Sequence, residues 1–144
     1  MYRILLPVDA DHDRTRQQLD AIQRLPGDDD IEVTVFHVHE PIDAPGAEIG
    51  GSIIDDINES IDELQGTPES VTEAYETLED AGFQTRVGAV TGDAVESIIA
   101  AAGDIDADLI VLAGRKRSPV GKALFGSVTQ GVILESEVPV LVPN

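Results

Sequence analysis

Arg3-Ile4-Leu5-Leu6-Pro7-Val8-Asp9 is the stretch that decides the fold. Residues 3–8 form an apolar run that does not alternate cleanly, so it reads as a strand buried on both faces, the pattern of a parallel sheet, and Asp9 ends it. Working outward, similar runs recur at 31–38 with Val33, Val35, Phe36 and Val38, at 84–90, and at 108–113 with Leu109, Ile110, Val111 and Leu112. Val138-Pro139-Val140-Leu141-Val142 supplies a fifth, short strand. Helical patterns fall between them. Leu19, Ile22 and Leu25 make one narrow stripe over residues 13–25, and the segment 93–102 and part of 114–136 read as further helices. Ile53, Ile54, Ile57, Ile61 and Leu64 also recur at helical spacing. Gly66, Thr67 and Pro68 break that pattern and restart the chain as an N-cap followed by proline at the first helical position. The helix that follows runs to about Ala81 on Val71, Ala74, Tyr75 and Leu78, and Gly82 supplies the left-handed residue past its end. Residues 27–30 read as a turn and 40–51 as a long loop.

Strand and helix alternation of this kind predicts an α/β domain over residues 1–144: a doubly wound, five-stranded parallel sheet with helices on both faces. In such a sheet ligands bind beyond the carboxyl ends of the strands, at a topological switch point. The places to search are Asp9, Val38, Thr91 with Gly92, and Gly114 onward.

Composition narrows the chemistry. The chain carries 28 Asp and Glu against 9 Lys and Arg, a formal charge of −19, and has no Cys. Zero Cys excludes disulfides, thiolate nucleophiles and cysteine zinc sites. Hydrophobic residues make up 42% of the chain, enough for a packed core, so acidic disorder is not expected. The charge disfavours nucleic acid and anionic membranes as partners. No apolar run reaches the roughly 20 residues of a membrane span, and Met1-Tyr2-Arg3-Ile4 does not begin a signal peptide, so a soluble cytoplasmic protein is expected. Only two Lys occur, and an acidic, lysine-poor surface resembles proteins of organisms that keep molar internal salt, a halophilic habit. Most carboxylates are then solvated and screened, the Debye length being about 3 Å at 1 M salt.

One region departs from this. Residues 109–134 hold no acidic residue, while Arg115, Lys116, Arg117 and Lys122 give +4 there and leave −23 on the rest of the chain. Such clustering points to an anion site. Gly114 opens the loop after a strand, and Gly126-Ser127-Val128-Thr129 closes it on a helix, where free N–H groups face an anion; Ser127 either adds a hydroxyl to that site or caps the helix. There is no Walker A triplet.

Taken together, Ile4-Leu5-Leu6-Pro7-Val8-Asp9, His37-Val38, Asp108 through Gly114, Gly126-Ser127-Val128-Thr129 and Val138-Pro139-Val140-Leu141-Val142 resemble the universal stress proteins, over nearly the whole chain. That resemblance implies a Rossmann-like domain of the adenine nucleotide alpha hydrolase type, ATP accompanied by Mg²⁺ as ligand, and a stress-response role. It further implies that Pro7, Val8 and Asp9 border the nucleoside, with the Asp9 carboxylate on a ribose hydroxyl, and that Val38 meets adenine through its backbone. Gly114, Gly126, Ser127 and Val128 would hold phosphates, with charge from Arg115, Lys116 or Arg117. The ATP-binding branch has a second glycine in this loop; here it is absent, and the span from Gly114 to Gly126 is one residue shorter. Asp11 stands where family members often carry Ser, which could favour a bound cation.

Other readings stand beside these. Asp9 could cap the following helix; His37 reads as a hydrogen-bonded core histidine, and His12 and His39 as exposed. No nucleophile and base pair is evident, and no metal site forms from three scattered His. The leading expectation is an ATP-binding stress regulator, homodimeric through residues 138–142. The alternatives are a nucleotide-free dimeric scaffold and a slow ATP-hydrolysing or nucleotidyl-transferring enzyme.

Overall fold

The computed structural model describes residues 1–26, 30–39, 57–58, 68–113 and 127–143. Chain order is β1 (Tyr2–Pro7), α1 (His12–Gln23), β2 (Ile31–His39), β3 (Ile57–Asn58), α2 (Glu69–Asp80), β4 (Gln84–Thr91), α3 (Ala94–Asp104), β5 (Leu109–Val111), α4 (Ser127–Glu135) and β6 (Val140–Leu141). The sheet order is β3-β4-β2-β1-β5-β6. β1 pairs in parallel with β2 and with β5, β2 with β4, and β5 with β6. These are the five parallel strands expected from the apolar runs. Helices pack on both faces of these strands.

β3 is an addition. Ile57 and Asn58 pair antiparallel with Gly88 and Val87 of β4 at the sheet edge. The helical spacing of Ile53 to Leu64 therefore does not describe Ile57 and Asn58, which are extended; the rest of that pattern lies outside the described residues. Backbone pairing to an open strand edge has overridden a local periodicity. The start of α2 is a second correction. Pro68 is itself the N-cap, extended at φ −62° and ψ 155° with no side-chain cap bond, and the helix begins at Glu69.

Alternation within the strands sorts the core into two layers. Ile4, Leu6, Val33, Val35, Leu109 and Val111 face α1 and α2, meeting Leu19, Ile22, Val71, Ala74 and Leu78. Leu5, Phe36, Ile110 and Leu112 face the other way, onto Ile98, Ala101, Ala102 and Val132 of α3 and α4. Among the described residues, no helix is long and apolar enough to cross a membrane.

Local signals explain the helix ends. Asp11 caps α1, its Oδ1 accepting from the Arg14 N–H at 3.0 Å, and Asp93 caps α3, its Oδ2 accepting from the Glu96 N–H at 2.9 Å. Gly82, at φ +94°, takes the left-handed conformation expected past α2. α1 and α2 are joined on their solvent side by a three-residue cluster: Glu73 accepts from His12 Nδ1 at 2.5 Å and from Arg16 Nε at 3.1 Å. The His12 hydrogen bond, followed by that of Arg16, holds the Glu73 carboxyl below its ordinary value of 4.5.

Two outcomes follow from this packing. A Cβ on Gly131 would lie 2.8 Å from Val95 Cγ2, so α3 and α4 touch where only glycine fits. Gly131→Ala is expected to lower stability by about 1 kcal/mol in urea unfolding, because overpacking of about 1–3 kcal/mol exceeds the helix propensity gained. Glu73, its folded pKa depressed, contributes stability that is present above 4.5 and lost as pH falls through the lower folded value. Glu73→Gln should flatten that acid limb, read as urea midpoints against pH; an unaltered limb would assign the acid sensitivity elsewhere.

Candidate functional site

β1 is the switch point of the sheet, because β2 and β4 lie to one side of it and β5 and β6 to the other. At the carboxyl ends of β1, β2 and β5 the diverging connections leave a cleft of about 240 Å³. Val8, Phe36, Ile98 and Leu112 give it an apolar floor, with Ala94 at the start of α3. Pro7, Asp9, Arg14, Gln18, His37 and Val38 line one side, and Ala113, Ser127, Val128 and Thr129 the other.

Each polar wall residue is held in place. Gln18 is buried, and its Nε2 donates to the carbonyls of Pro7 at 2.6 Å and Val111 at 3.0 Å. Those oxygens end β1 and β5 where the strands part and can no longer pair, so one amide satisfies both. His37 donates from Nδ1 to the Val8 carbonyl at 2.7 Å, which fixes the ring over the end of β1. The Val8 N–H donates to the Phe36 carbonyl at 2.8 Å, extending the β1–β2 pairing into the cleft. Thr129 Oγ1 donates to the Ala113 carbonyl at 3.0 Å and pins the first turn of α4 against the end of β5.

Asp9 is bound on several sides. Its Oδ1 accepts from the Asp11 N–H at 2.9 Å, its Oδ2 lies 3.1 Å from Arg14 Nη1, and its carbonyl accepts from Ser70 Oγ at the start of α2. Arg14 Nε also reaches Asp11 Oδ2 at 3.4 Å. The Asp11 carboxyl is held below its usual range, first by the backbone hydrogen bond from Arg14. Helix capping thus belongs to Asp11, not Asp9. The negative charge added by Asp11, read from the sequence as favouring a cation, is partnered by a guanidinium.

Of the residues expected to form the site, Pro7, Val8, Asp9, Val38, Ser127 and Val128 line this one cleft. Ser127 is exposed as the first residue of α4, and Val128 is half-buried behind it. Gly114, Arg115, Lys116, Arg117 and Gly126 lie outside the described residues. His37 is hydrogen-bonded, as its place in an apolar strand suggested. His12 and His39 are not simply exposed: His12 is half-buried against Glu73, and His39 packs edge-on to His37 with ring centroids 4.5 Å apart. Burial, then the neighbouring His37, lowers the His39 pKa below 6.5. Among the described residues no group of three His, Cys, Asp or Glu is placed to hold a metal ion.

Sequence reasoning missed Arg14, Gln18 and Ser70. Gln18 had one signal available: it stands four residues before Ile22 on the apolar stripe of α1, where an uncharged polar residue must find partners inside.

Comparisons with known proteins agree with this geometry. The profile of the Universal stress protein family matches residues 1–143. A universal stress protein of Mycolicibacterium smegmatis is 43% identical over 65 residues, 44% of this chain and 50% of the relative. The chain spans about half, or somewhat less, of the curated relatives it matches, the share falling to 40% for a universal stress protein of Methanocaldococcus jannaschii. A solved universal stress protein from Archaeoglobus fulgidus superposes with a TM-score of 0.70 at 26% identity, covering 100% of this chain and 99% of that one. Another solved as its dAMP complex, also from Archaeoglobus fulgidus, has a TM-score of 0.63 at 23% identity and covers 100% and 98%. A universal stress protein in complex with cAMP has a TM-score of 0.65 at 20% identity and covers 98% and 94%. With a doubly wound sheet, a cleft at its switch point and a family profile spanning residues 1–143, the chain belongs to the universal stress protein family.

Proposed function

We propose that this chain binds an adenine nucleotide, ATP with Mg²⁺, in the cleft over β1 and acts as a stress-response regulator whose partner contacts change with occupancy. The observation that carries the reading is the convergence of Pro7, Val8, Asp9, Val38, Ser127 and Val128 on one cleft. An apolar floor of Val8, Phe36 and Leu112 suits a purine, and Val38 offers backbone groups to its edge. Asp9 on the rim accepts from the sugar. The N-terminus of α4 at Ser127 and Val128 offers N–H groups and a positive dipole end to phosphate. Gly114 and Gly126 would let backbone approach the phosphates, and Arg115, Lys116 and Arg117 would supply charge in place of the missing second glycine. Any divalent ion would arrive on the phosphates, as Mg²⁺ commonly does. The dAMP and cAMP complexes of other family members support an adenine nucleotide as the ligand class.

The chemistry is that of a binding protein. The protein acts in the cytoplasm, in high internal salt, with neither nucleic acid nor membrane as partner. It works as a homodimer through residues 138–142, since β6 has a neighbour on one side only among the described residues and Val138, Val140 and Val142 are half-buried against the core.

Mass spectrometry of nucleotide released from freshly purified, denatured protein should detect ATP, and calorimetry in molar KCl should show ATP binding. Reversal of Arg115, Lys116 and Arg117 to Glu should weaken it by about tenfold or more, each tenfold being ~1.4 kcal/mol, with the urea midpoint retained. No released nucleotide and no heat would favour the scaffold alternative, and unchanged affinity in the reversal would reject the basic loop as a phosphate site. Sedimentation at low micromolar concentration in high salt should give a dimer; a monomer overturns the β6 contact.

A further inference from the structure

Asp9 is fixed more firmly than its position requires. Its side chain is 52% exposed, yet Oδ1 accepts from the Asp11 N–H at 2.9 Å and Oδ2 lies 3.1 Å from Arg14 Nη1. Its carbonyl is tied to Ser70 Oγ. Capping of α1 does not account for this, because Asp11 performs it. Stability does not either, since exposed ion pairs contribute little. What such an arrangement achieves is a carboxylate with a single orientation at the rim of a cleft. Arg14, which itself lines the cleft, bridges Asp9 and Asp11 with two edges of one planar group.

The charge of the cluster narrows its ligand. Two carboxylates around one guanidinium leave a net −1, and the Nε–H and an Nη1–H of Arg14 already face Asp11 and Asp9. Such a place repels a phosphate. Each Asp9 oxygen, having one contact among the described residues, retains a lone pair, so the carboxylate can receive two neutral donors side by side. Adjacent hydroxyls on a sugar ring supply them. We infer that Arg14 is a positioning residue: by holding the Asp9 carboxylate in one orientation at the rim, it sets how strongly the cleft distinguishes a nucleotide carrying both the 2′ and 3′ hydroxyls from one that lacks either. This rests on the nucleotide reading above, in which Asp9 already meets the sugar, and adds to it the residue that sets that contact.

Calorimetric titration in molar KCl with ATP, 2′-deoxy-ATP and 3′-deoxy-ATP tests the inference on the wild-type chain, Arg14→Gln and Arg14→Lys. The wild type is expected to bind ATP about tenfold more tightly than either deoxy analogue, as loss of a charge-assisted hydrogen bond predicts. Both variants should bring that ratio close to one by weakening ATP more than the deoxy analogues, each of which keeps only one of the two hydroxyls. Arg14→Lys keeps the charge but not the planar fork, so its loss of the ratio separates positioning from simple electrostatics. A wild-type ratio of one, an unchanged ratio in the variants, equal weakening of all three ligands, or full restoration by Lys would each overturn the role of Arg14. Binding of all three at equal affinity sinks this inference alone. Binding of none sinks the nucleotide reading and this inference with it.

Discussion

A parallel sheet can hold a ligand at its switch point only if the strands that part there are kept from closing together or splaying without limit. In this chain the constraint is a single amide. Gln18 donates to the last carbonyls of β1 and β5, which have run out of strand partners, and so spans the opening from the α1 side. Two buried carbonyls left without donors would each cost about 1–3 kcal/mol. The side chain that satisfies them also sets the distance between the two halves of the cleft. Val8, His37 and Thr129 complete the frame, bonded to the backbone of Phe36 within β2, of Val8 just past β1 and of Ala113 just past β5. The rim is therefore a set of strand termini fastened to one another, not a loop surface laid over a sheet.

Upon that frame the cleft is asymmetric in charge. One wall carries the Asp9 carboxylate paired with the Arg14 guanidinium, which also reaches Asp11; the other carries Ser127 and Val128 at the N-terminus of α4, the positive end of its dipole. An apolar floor lies between them. A ligand with a neutral hydroxylated part and an anionic part has one favourable direction in such a field.

Most of the sheet was legible in the sequence because a strand buried on both faces needs an unbroken apolar run, and Ile4 to Leu6 and Leu109 to Leu112 have no other stable use. The site was legible in part, since a doubly wound order sends every search to the strand ends, where Asp9, Val38 and Ser127 stand. What escaped depends on tertiary pairing. Asp9 and Asp11 are equally good caps by residue type, and only the turn between them gives the cap to Asp11. Arg14 reads as one more polar residue on a polar helix. Ile57 and Asn58 carry a helical spacing, yet their conformation follows from the open edge of β4.

That edge has a consequence for how copies of the chain meet. β3 runs antiparallel across the middle of β4, so the longer outer strand has no uninterrupted row of backbone groups to present. At the opposite end β6 is two residues long and has nothing beyond it among the described residues. Strand addition at β6 alone would close as a pair related by a two-fold axis, whereas addition at both borders would propagate into a fibre.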